Sequence, residues 1–192
     1  MQEKKEISKK GLKSKKIFLV CSLIVLFLVF LICDLLIIRH LTARQIDDVN
    51  PSILCGENRI ASSSTLMIVP IFNGISIADN MTWCNSILSL NKTLGMHGVY
   101  HTYNEFLELR NESYISRGMD EFKKCFGYYP EYFEAPQLAL SSENVKILEE
   151  MGFDIRGWLY MITHKVYHCQ DTGIFAINFG KIKITNRFID FV

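Results

Sequence analysis

The stretch LGMHGVYHTYNE, residues 94–105, combines three local signals within twelve residues. Residues 94–100 form a short apolar run of strand length. Residues 102–105 have the form of a capping box, in which a hydroxyl and a carboxylate satisfy the free backbone amides at the start of a helix. His97 and His101 lie four residues apart at this predicted strand-to-helix corner, where two imidazoles can share a metal ion. The alternative is that two exposed or core histidines have this spacing by chance.

Apolar segments of strand length alternate with helical segments on either side of this stretch. The run LMIVPIF at residues 66–72 predicts a strand that ends at the turn Asn73-Gly74. Further elements are predicted as helices starting at Asp79 and Ser141 and covering 114–126, and as strands at 132–135, 153–160, 165–169 and 182–192. Strands that alternate with helices imply parallel pairing and an α/β fold. A complete eight-unit barrel takes about 250 residues, so we expect a partial or distorted (β/α) barrel.

Residues 17–38, IFLVCSLIVLFLVFLICDLLII, are apolar apart from Asp34. A helix of this length extends about 33 Å, enough to cross a hydrocarbon core of about 30 Å. Between Ile17 and Thr42 the sequence contains no alanine or glycine, so it lacks the small residues of a signal-peptide cleavage site. The segment therefore predicts an uncleaved transmembrane signal anchor in the lipid bilayer.

The formal net charge of +1 is the difference between two regions of opposite sign. Residues 1–16 carry seven lysines and two glutamates, whereas the remainder of the chain is mildly acidic. Because basic residues stay on the cytoplasmic side, we expect a single-pass protein of the cell membrane with residues 1–16 inside and the C-terminal domain outside. An acidic body argues against nucleic-acid binding, and the 49% of hydrophobic residues excludes a disordered chain.

Residues 39–65 show no sustained periodicity and are predicted to be a stalk or linker, which leaves residues 66–192 as one domain of ordinary size. Four cysteines lie outside the predicted span, and an extracytoplasmic location permits three disulfide connectivities among them: Cys55, Cys84, Cys125 and Cys169. The chain ends on an apolar predicted strand, so a truncated domain, or one completed by a partner chain, is an alternative expectation. The oligomeric state is not predicted.

Several motifs resemble those of the polysaccharide deacetylase superfamily, in the order that this family has them. The sequence HGVYHT at residues 97–102 resembles the family's metal-binding H-x-x-x-H motif. The sequence VPIFNG at 69–74 stands where the family has a strand ending in Asp-Asp-Gly, and FGYYPEYFEAP at 126–136 is similar to F-G-x-x-P-x-x-F-R-x-P. The stretches LEEMGF at 148–153 and YHCQD at 167–171 are similar to the later helix-strand and histidine motifs. The resemblance implies a barrel of the glycoside hydrolase/deacetylase type.

The same alignment of motifs shows departures at the catalytic positions. On this alignment the family's catalytic base falls on Phe72, its carboxylate metal ligand on Asn73, and the arginine that orients the base on Glu134. The resemblance implies a divalent metal ion, with zinc the expected one, held by His97, His101 and the amide oxygen of Asn73. We further expect Glu134 to replace the missing carboxylate and either to bind the metal, as an alternative to Asn73, or to activate its water. The other expectation is a solvated strand-end residue in a site that has lost catalysis.

The late histidine motif implies an acid for the reaction. His168 would protonate the leaving amine, with Asp171 beside it; alternatively the two residues pair locally in a turn. The sequence thus predicts a metal-dependent hydrolase of an N-acetyl or related amide, with a cell-surface or exogenous glycan as its partner. The alternative is a catalytically inactive glycan-binding or envelope-scaffolding domain on the same fold.

Overall fold

The computed structural model describes residues 2–171, 181–184 and 187–190. The chain forms two compact units, Met1–Ile38 and Arg39–Val192. Helix α1 (Gln2–Leu41) contains the predicted span, and an 18-residue window within its segment Lys16–Leu41 has a mean hydropathy of 3.1. By length and composition this segment is able to cross a membrane. The apolar run is therefore helical, as the sequence predicts.

The second unit is built on a six-stranded parallel sheet in the order β7-β6-β5-β2-β1-β8. Its strands are β1 (Arg44–Val49), β2 (Thr65–Ile68), β5 (Thr93–His97), β6 (Tyr132–Glu134), β7 (Asp154–Ile155) and β8 (Lys165–His168). Two short hairpins are antiparallel: β3 (Ile71–Phe72) with β4 (Ile75–Ser76), and β9 (Lys181–Ile184) with β10 (Arg187–Asp190). Parallel strands that alternate with helices confirm the predicted α/β class, and β7 and β8 are the edges of this sheet in the described part of the chain.

The helices of this unit are α2 (Glu57–Ser62), α3 (Met81–Ser89), α4 (Glu112–Phe126), α5 (Ser142–Glu150) and α6 (Trp158–Thr163). Local chemistry sets their ends. The side chain of Asn111 accepts from the amide of Tyr114 and caps α4, which stops at Gly127 because that residue adopts a left-handed φ of 86°. The predicted cap Ser141 accepts from the amide of Asn144 at the start of α5.

The predicted stalk is not separate from the fold, and this corrects the expected domain boundary. Residues 44–49 form β1, an inner strand between β2 and β8, and the compact unit begins at Arg39 rather than at residue 66. Gln45 and Asp47 on this strand are fully buried. The apolar pattern that reveals other strands is absent because these buried positions carry polar side chains.

Two other predicted elements differ in the structure. Residues 102–110 form turns rather than a helix, since Glu105 accepts hydrogen bonds from the amides of residues 99–101 instead of capping a helix. The predicted strand 153–160 shortens to β7 and gives way to α6. Of the predicted final strand, residues 185–186 and 191–192 lie outside the described residues, and the rest contributes to the β9–β10 hairpin.

Two disulfides are present in this unit. Cys84 on α3 is bonded to Cys125 on α4, and Cys55, in the loop after β1, is bonded to Cys169 just after β8. The structure thus selects one of the three connectivities. The buried apolar core consists of two clusters, with Leu66, Ile68 and Phe122 in one and Met96 and Phe133 in the other.

Candidate functional site

Adjacent carboxylates stand at the carboxyl end of β1. Asp47 and Asp48 each have a carboxylate oxygen within 4.8 Å of a ligand atom of His97, and Asp48 adopts a positive φ of 63°. This conformation is one that aspartate tolerates better than most residues. Asp48 Oδ1 lies 2.7 Å from His101 Nε2 and 3.4 Å from His97 Nε2. The second aspartate of the pair therefore completes a cluster with the two predicted histidines.

The histidines are positioned by the end of β5 and the loop that follows it. His97 is the last residue of β5 and is almost fully buried, whereas His101 is half-buried and has a φ of 58°. The carboxylate of Glu105, itself fully buried, accepts from the amides of Val99 (3.0 Å), Tyr100 (2.8 Å) and His101 (3.0 Å). It also accepts from the hydroxyl of Tyr114 at 2.8 Å, and burial together with this bond raises the pKa of Tyr114. Glu105 thus fixes the loop that carries His101.

The donor set of Asp48, His97 and His101 fits a divalent metal ion. One ligand atom from each lies within 4.8 Å of the other two. At zinc bond lengths of about 2.0–2.2 Å, two ligands at a tetrahedral angle are about 3.3 Å apart. The 3.4 Å between Asp48 and His97 matches this separation, and the 2.7 Å between Asp48 and His101 is shorter. Asp48 Oδ1 and His97 Nδ1 are buried without a hydrogen-bond partner among the described residues. An ion in this cluster would satisfy the carboxylate oxygen, which otherwise carries a desolvation cost.

The electrostatics of the cluster favour an ionised carboxylate at Asp48. Burial alone would raise the pKa of Asp48, but the close imidazoles of His101 and His97 outweigh burial and hold the pKa well below its usual range. The neighbouring Asp48 carboxylate in turn raises the pKa of His101. A carboxylate and two imidazoles are the mixed oxygen and nitrogen ligand set that suits zinc and related ions.

Asp47 belongs to a second, fully buried group. Glu134, at the end of β6, is in register with His97 and almost fully buried. Ligand atoms of Asp47, His97 and Glu134 lie within 4.8 Å of one another. Burial and the negative charge of Glu134 raise the pKa of Asp47. Gln45 donates to both carboxylates, at 2.7 Å to Asp47 Oδ1 and 2.9 Å to Glu134 Oε2.

The structure brings His168 and Asp171 to the same site. His168 Nε2 is 3.9 Å from Asp47 Oδ2, and its Nδ1 is 3.5 Å from Asp171 Oδ1. The amide of His168 donates to Asp171 Oδ2 at 2.9 Å. Arg59 on α2 donates to the carbonyls of His168 and Asp171, and the adjacent disulfide ties this turn to the loop after β1. His168 therefore both pairs locally with Asp171 and lies in the candidate site, so the structure combines the two predicted alternatives.

The Asp-Asp pair after Ile46 is what the sequence reasoning missed. Asn73 was predicted to bind the metal ion in place of the family's carboxylate ligand. It is exposed at the β3–β4 turn, with a φ of 50°. Phe72 packs near the site, with its ring centroid 6.5 Å from that of His101. The carboxylate beside the imidazoles belongs to Asp48 on β1, and not to the segment 69–74 in which the ligand was expected. The signal was available, because residues 47–48 are the only Asp-Asp pair in the chain.

No family model and no curated protein matches this chain. Solved structures to which it is similar include a CE4 family pseudoenzyme from Bacillus anthracis, with 15% identity and a TM-score of 0.47 over 60% of this chain. The family 4 carbohydrate esterase from Streptomyces lividans has 14% identity and a TM-score of 0.44 over 61% of this chain. The chitin deacetylase from the fungal pathogen Colletotrichum lindemuthianum has 16% identity and a TM-score of 0.46 over 59%. The similar parts cover 42%, 62% and 53% of those three chains, respectively.

Proposed function

We propose that this protein is a membrane-anchored, metal-dependent hydrolase that removes N-acetyl groups from a glycan. The observation that carries the proposal is the convergence of Asp48, His97 and His101, with Asp47 and His168 beside them. This arrangement provides a metal ligand set next to one carboxylate, Asp47, and one imidazole, His168. The glycan as substrate is what the motif resemblance implies.

Each residue has a distinct task in this proposal. Asp48, His97 and His101 would hold the ion, which when bound acidifies a water molecule and polarises the amide carbonyl. Asp47 Oδ2 accepts the proton of the attacking water, since its other oxygen is already bonded to Gln45. His168 donates a proton to the leaving amine, and Asp171, on the far side of the imidazole, orients the ring.

Anchoring in the membrane is the second part of the proposal. The segment Lys16–Leu41 has the length and composition of a span, and the lysine-rich residues 1–16 favour a cytoplasmic N-terminus. Two disulfides in the unit that begins at Arg39 support an oxidising location outside the cytoplasm. The hydrolase would then act on a glycan at the cell surface.

One observation favours a second candidate function, a catalytically inactive glycan-binding or envelope-scaffolding domain. Glu134 stands where the motif resemblance implies an arginine, and burial together with the negative charge of Glu134 raises the pKa of Asp47. A protonated Asp47 is too weak a base to accept the proton of the attacking water. In this reading the cluster holds a metal ion and the fold binds a glycan without cleaving it.

Acetate release from an N-acetylated chito-oligosaccharide tests both candidates. The full-length chain in detergent is stripped with a chelator, reloaded with zinc and assayed. The hydrolase predicts metal-dependent release that falls at least about 100-fold in His168→Gln and Asp47→Asn, whereas Glu131→Gln, an exposed change nearby, stays active. Absence of release in the zinc-loaded chain would overturn the hydrolase. Oligosaccharide binding by that same inactive chain, together with release gained by Glu134→Gln, would establish the inactive domain.

A further inference from the structure

We propose that Gln45 and Arg156 are positioning residues that fix Asp47 in the orientation of a base. The inference rests on the proposed function, because it concerns the residue that accepts the proton there. In place of a direct contact from an arginine at position 134, the guanidinium of Arg156 acts on Asp47 through the amide of Gln45.

Gln45 lies on β1 two residues before Asp47, so the two side chains share one face of the strand. Its side chain is fully buried, and all three of its polar functions are engaged. The amide nitrogen donates to Asp47 Oδ1 at 2.7 Å and to Glu134 Oε2 at 2.9 Å, and the amide oxygen accepts from Arg156 Nη1 at 2.5 Å. A carboxamide has two donor hydrogens and an acceptor oxygen with two lone pairs, so these partners use both hydrogens and one lone pair.

Arg156 is itself held rigidly. Its backbone amide donates to the carbonyl of Phe133 at 2.8 Å, which ties it to the sheet beside β6. Its guanidinium lies over the ring of Tyr132, 4.3 Å from the centroid, and over the ring of Tyr160 at 4.6 Å. Contacts with two aromatic faces restrict the guanidinium without using its hydrogen-bond donors. The nitrogen directed at Gln45 therefore has a defined position.

The arrangement determines which way the amide of Gln45 points. Because the guanidinium only donates, the amide oxygen must face Arg156 and the amide nitrogen must face the carboxylates. Asp47 Oδ1 is consequently occupied, while Oδ2 is buried with no hydrogen-bond partner among the described residues and lies 3.9 Å from His168 Nε2. Gln45 thus selects Oδ2 as the free oxygen. It also gives two buried carboxylates, Asp47 and Glu134, a shared donor.

Gln45→Leu and Arg156→Met test the proposal in the full-length, zinc-loaded protein. Both substitutions keep most of the side-chain volume and remove the hydrogen bonds. We expect kcat for acetate release to fall about 10- to 100-fold, as for other misplacements of a catalytic group, with KM within about threefold and one zinc ion per chain retained. Arg156→Lys, which keeps a donor and a charge, is expected to recover at least part of the lost kcat.

A measurement without turnover accompanies the kinetic one. Acetohydroxamic acid binds a metal ion and donates its hydroxyl hydrogen to a neighbouring carboxylate, so its affinity reports the orientation of Asp47. We expect Gln45→Leu to weaken binding at least about fivefold while zinc affinity is unchanged; Glu131→Gln is the matched control. A wild-type protein that binds the hydroxamate but releases no acetate would refute the hydrolase function, while the hydroxamate affinities of the variants would still test the positioning role. Unchanged kcat or hydroxamate affinity in Gln45→Leu and Arg156→Met would overturn the positioning role. Loss of zinc in parallel with kcat would also overturn it.

Discussion

Replacing Glu105 with glutamine tests how the loop that carries His101 is held in place. The carboxylate accepts four hydrogen bonds, from the amides of Val99, Tyr100 and His101 and from the hydroxyl of Tyr114. A glutamine of the same shape has one acceptor oxygen. If that oxygen takes the position of Oε1, the amide group at the position of Oε2 points its hydrogens at the amide of His101. In Glu105→Gln, the new side-chain amide and the backbone amide of His101 are therefore two donors that face each other without an acceptor.

The expected cost follows from these contacts. Leaving the His101 amide without an acceptor costs about 1–3 kcal/mol, and exchanging a charged for a neutral acceptor weakens the other three bonds by about 1 kcal/mol each. Allowing for relaxation of the half-buried loop, we expect the free energy of unfolding to fall by at least about 3 kcal/mol. Because His101 moves with its backbone, we also expect zinc affinity to fall about 10- to 100-fold, as for other outer contacts of a metal ligand.

Urea unfolding of the full-length chain in detergent measures the first effect, and competition with a chromophoric chelator measures the second. Glu108→Gln is the matched control, since Glu108 lies in the same loop with its side chain 80% exposed and pairs only at 3.4 Å with Arg110. Its change in stability should stay below about 1 kcal/mol. A Glu105→Gln protein that differs from the wild type by less than about 1 kcal/mol and binds zinc equally well would refute the assigned role of Glu105.

Three further changes have defined outcomes. Gly98→Ala places a methyl group 2.7 Å from Pro136 Cγ and against the carboxylate of Glu105, at a backbone φ of 63° that alanine rarely adopts. We therefore expect zinc affinity to drop in a competition with a chelator. Wild-type zinc affinity in this variant would contradict the packing around Gly98. The double variant Cys84→Ser/Cys125→Ser opens a loop that the disulfide closes across 41 residues. We expect the free energy of unfolding, measured in urea under non-reducing conditions, to fall by about 4 kcal/mol. An unchanged urea midpoint would argue against that disulfide. Phe133→Ala removes a fully buried ring and should cost about 3–5 kcal/mol, which calorimetry would show as a lower Tm; an unaltered Tm would count against this core.

Much of the scaffold was predictable because ordinary local rules apply to it. The stop at Gly127 and the cap at Ser141 have the backbone conformations and hydrogen bonds that these residue types favour. The predicted strand at residues 66–72 is divided at Pro70, whose missing amide hydrogen cannot join the ladder, so β2 ends at Ile68 and β3 begins at Ile71.

The part of the site that could not be predicted is the part that breaks the local rules. Gln45 and Asp47 are buried on β1, so the strand lacks the apolar alternation by which strands are recognised, and the segment is taken for a linker. Burial of such groups becomes favourable only through partners on distant segments, Glu134 and Arg156. The histidine pair, by contrast, carries its spacing in the sequence itself, and for that reason it was found.

The metal content of two variants tests the central claim most directly. Asp48→Ala removes the carboxylate that the structure places against both imidazoles, and Asn73→Ala removes the amide that the motif alignment places there. After zinc loading and gel filtration of the full-length protein, elemental analysis should find about one zinc ion per chain in the wild type and in Asn73→Ala, and almost none in Asp48→Ala. Full zinc in Asp48→Ala with loss in Asn73→Ala would contradict the site described for this protein.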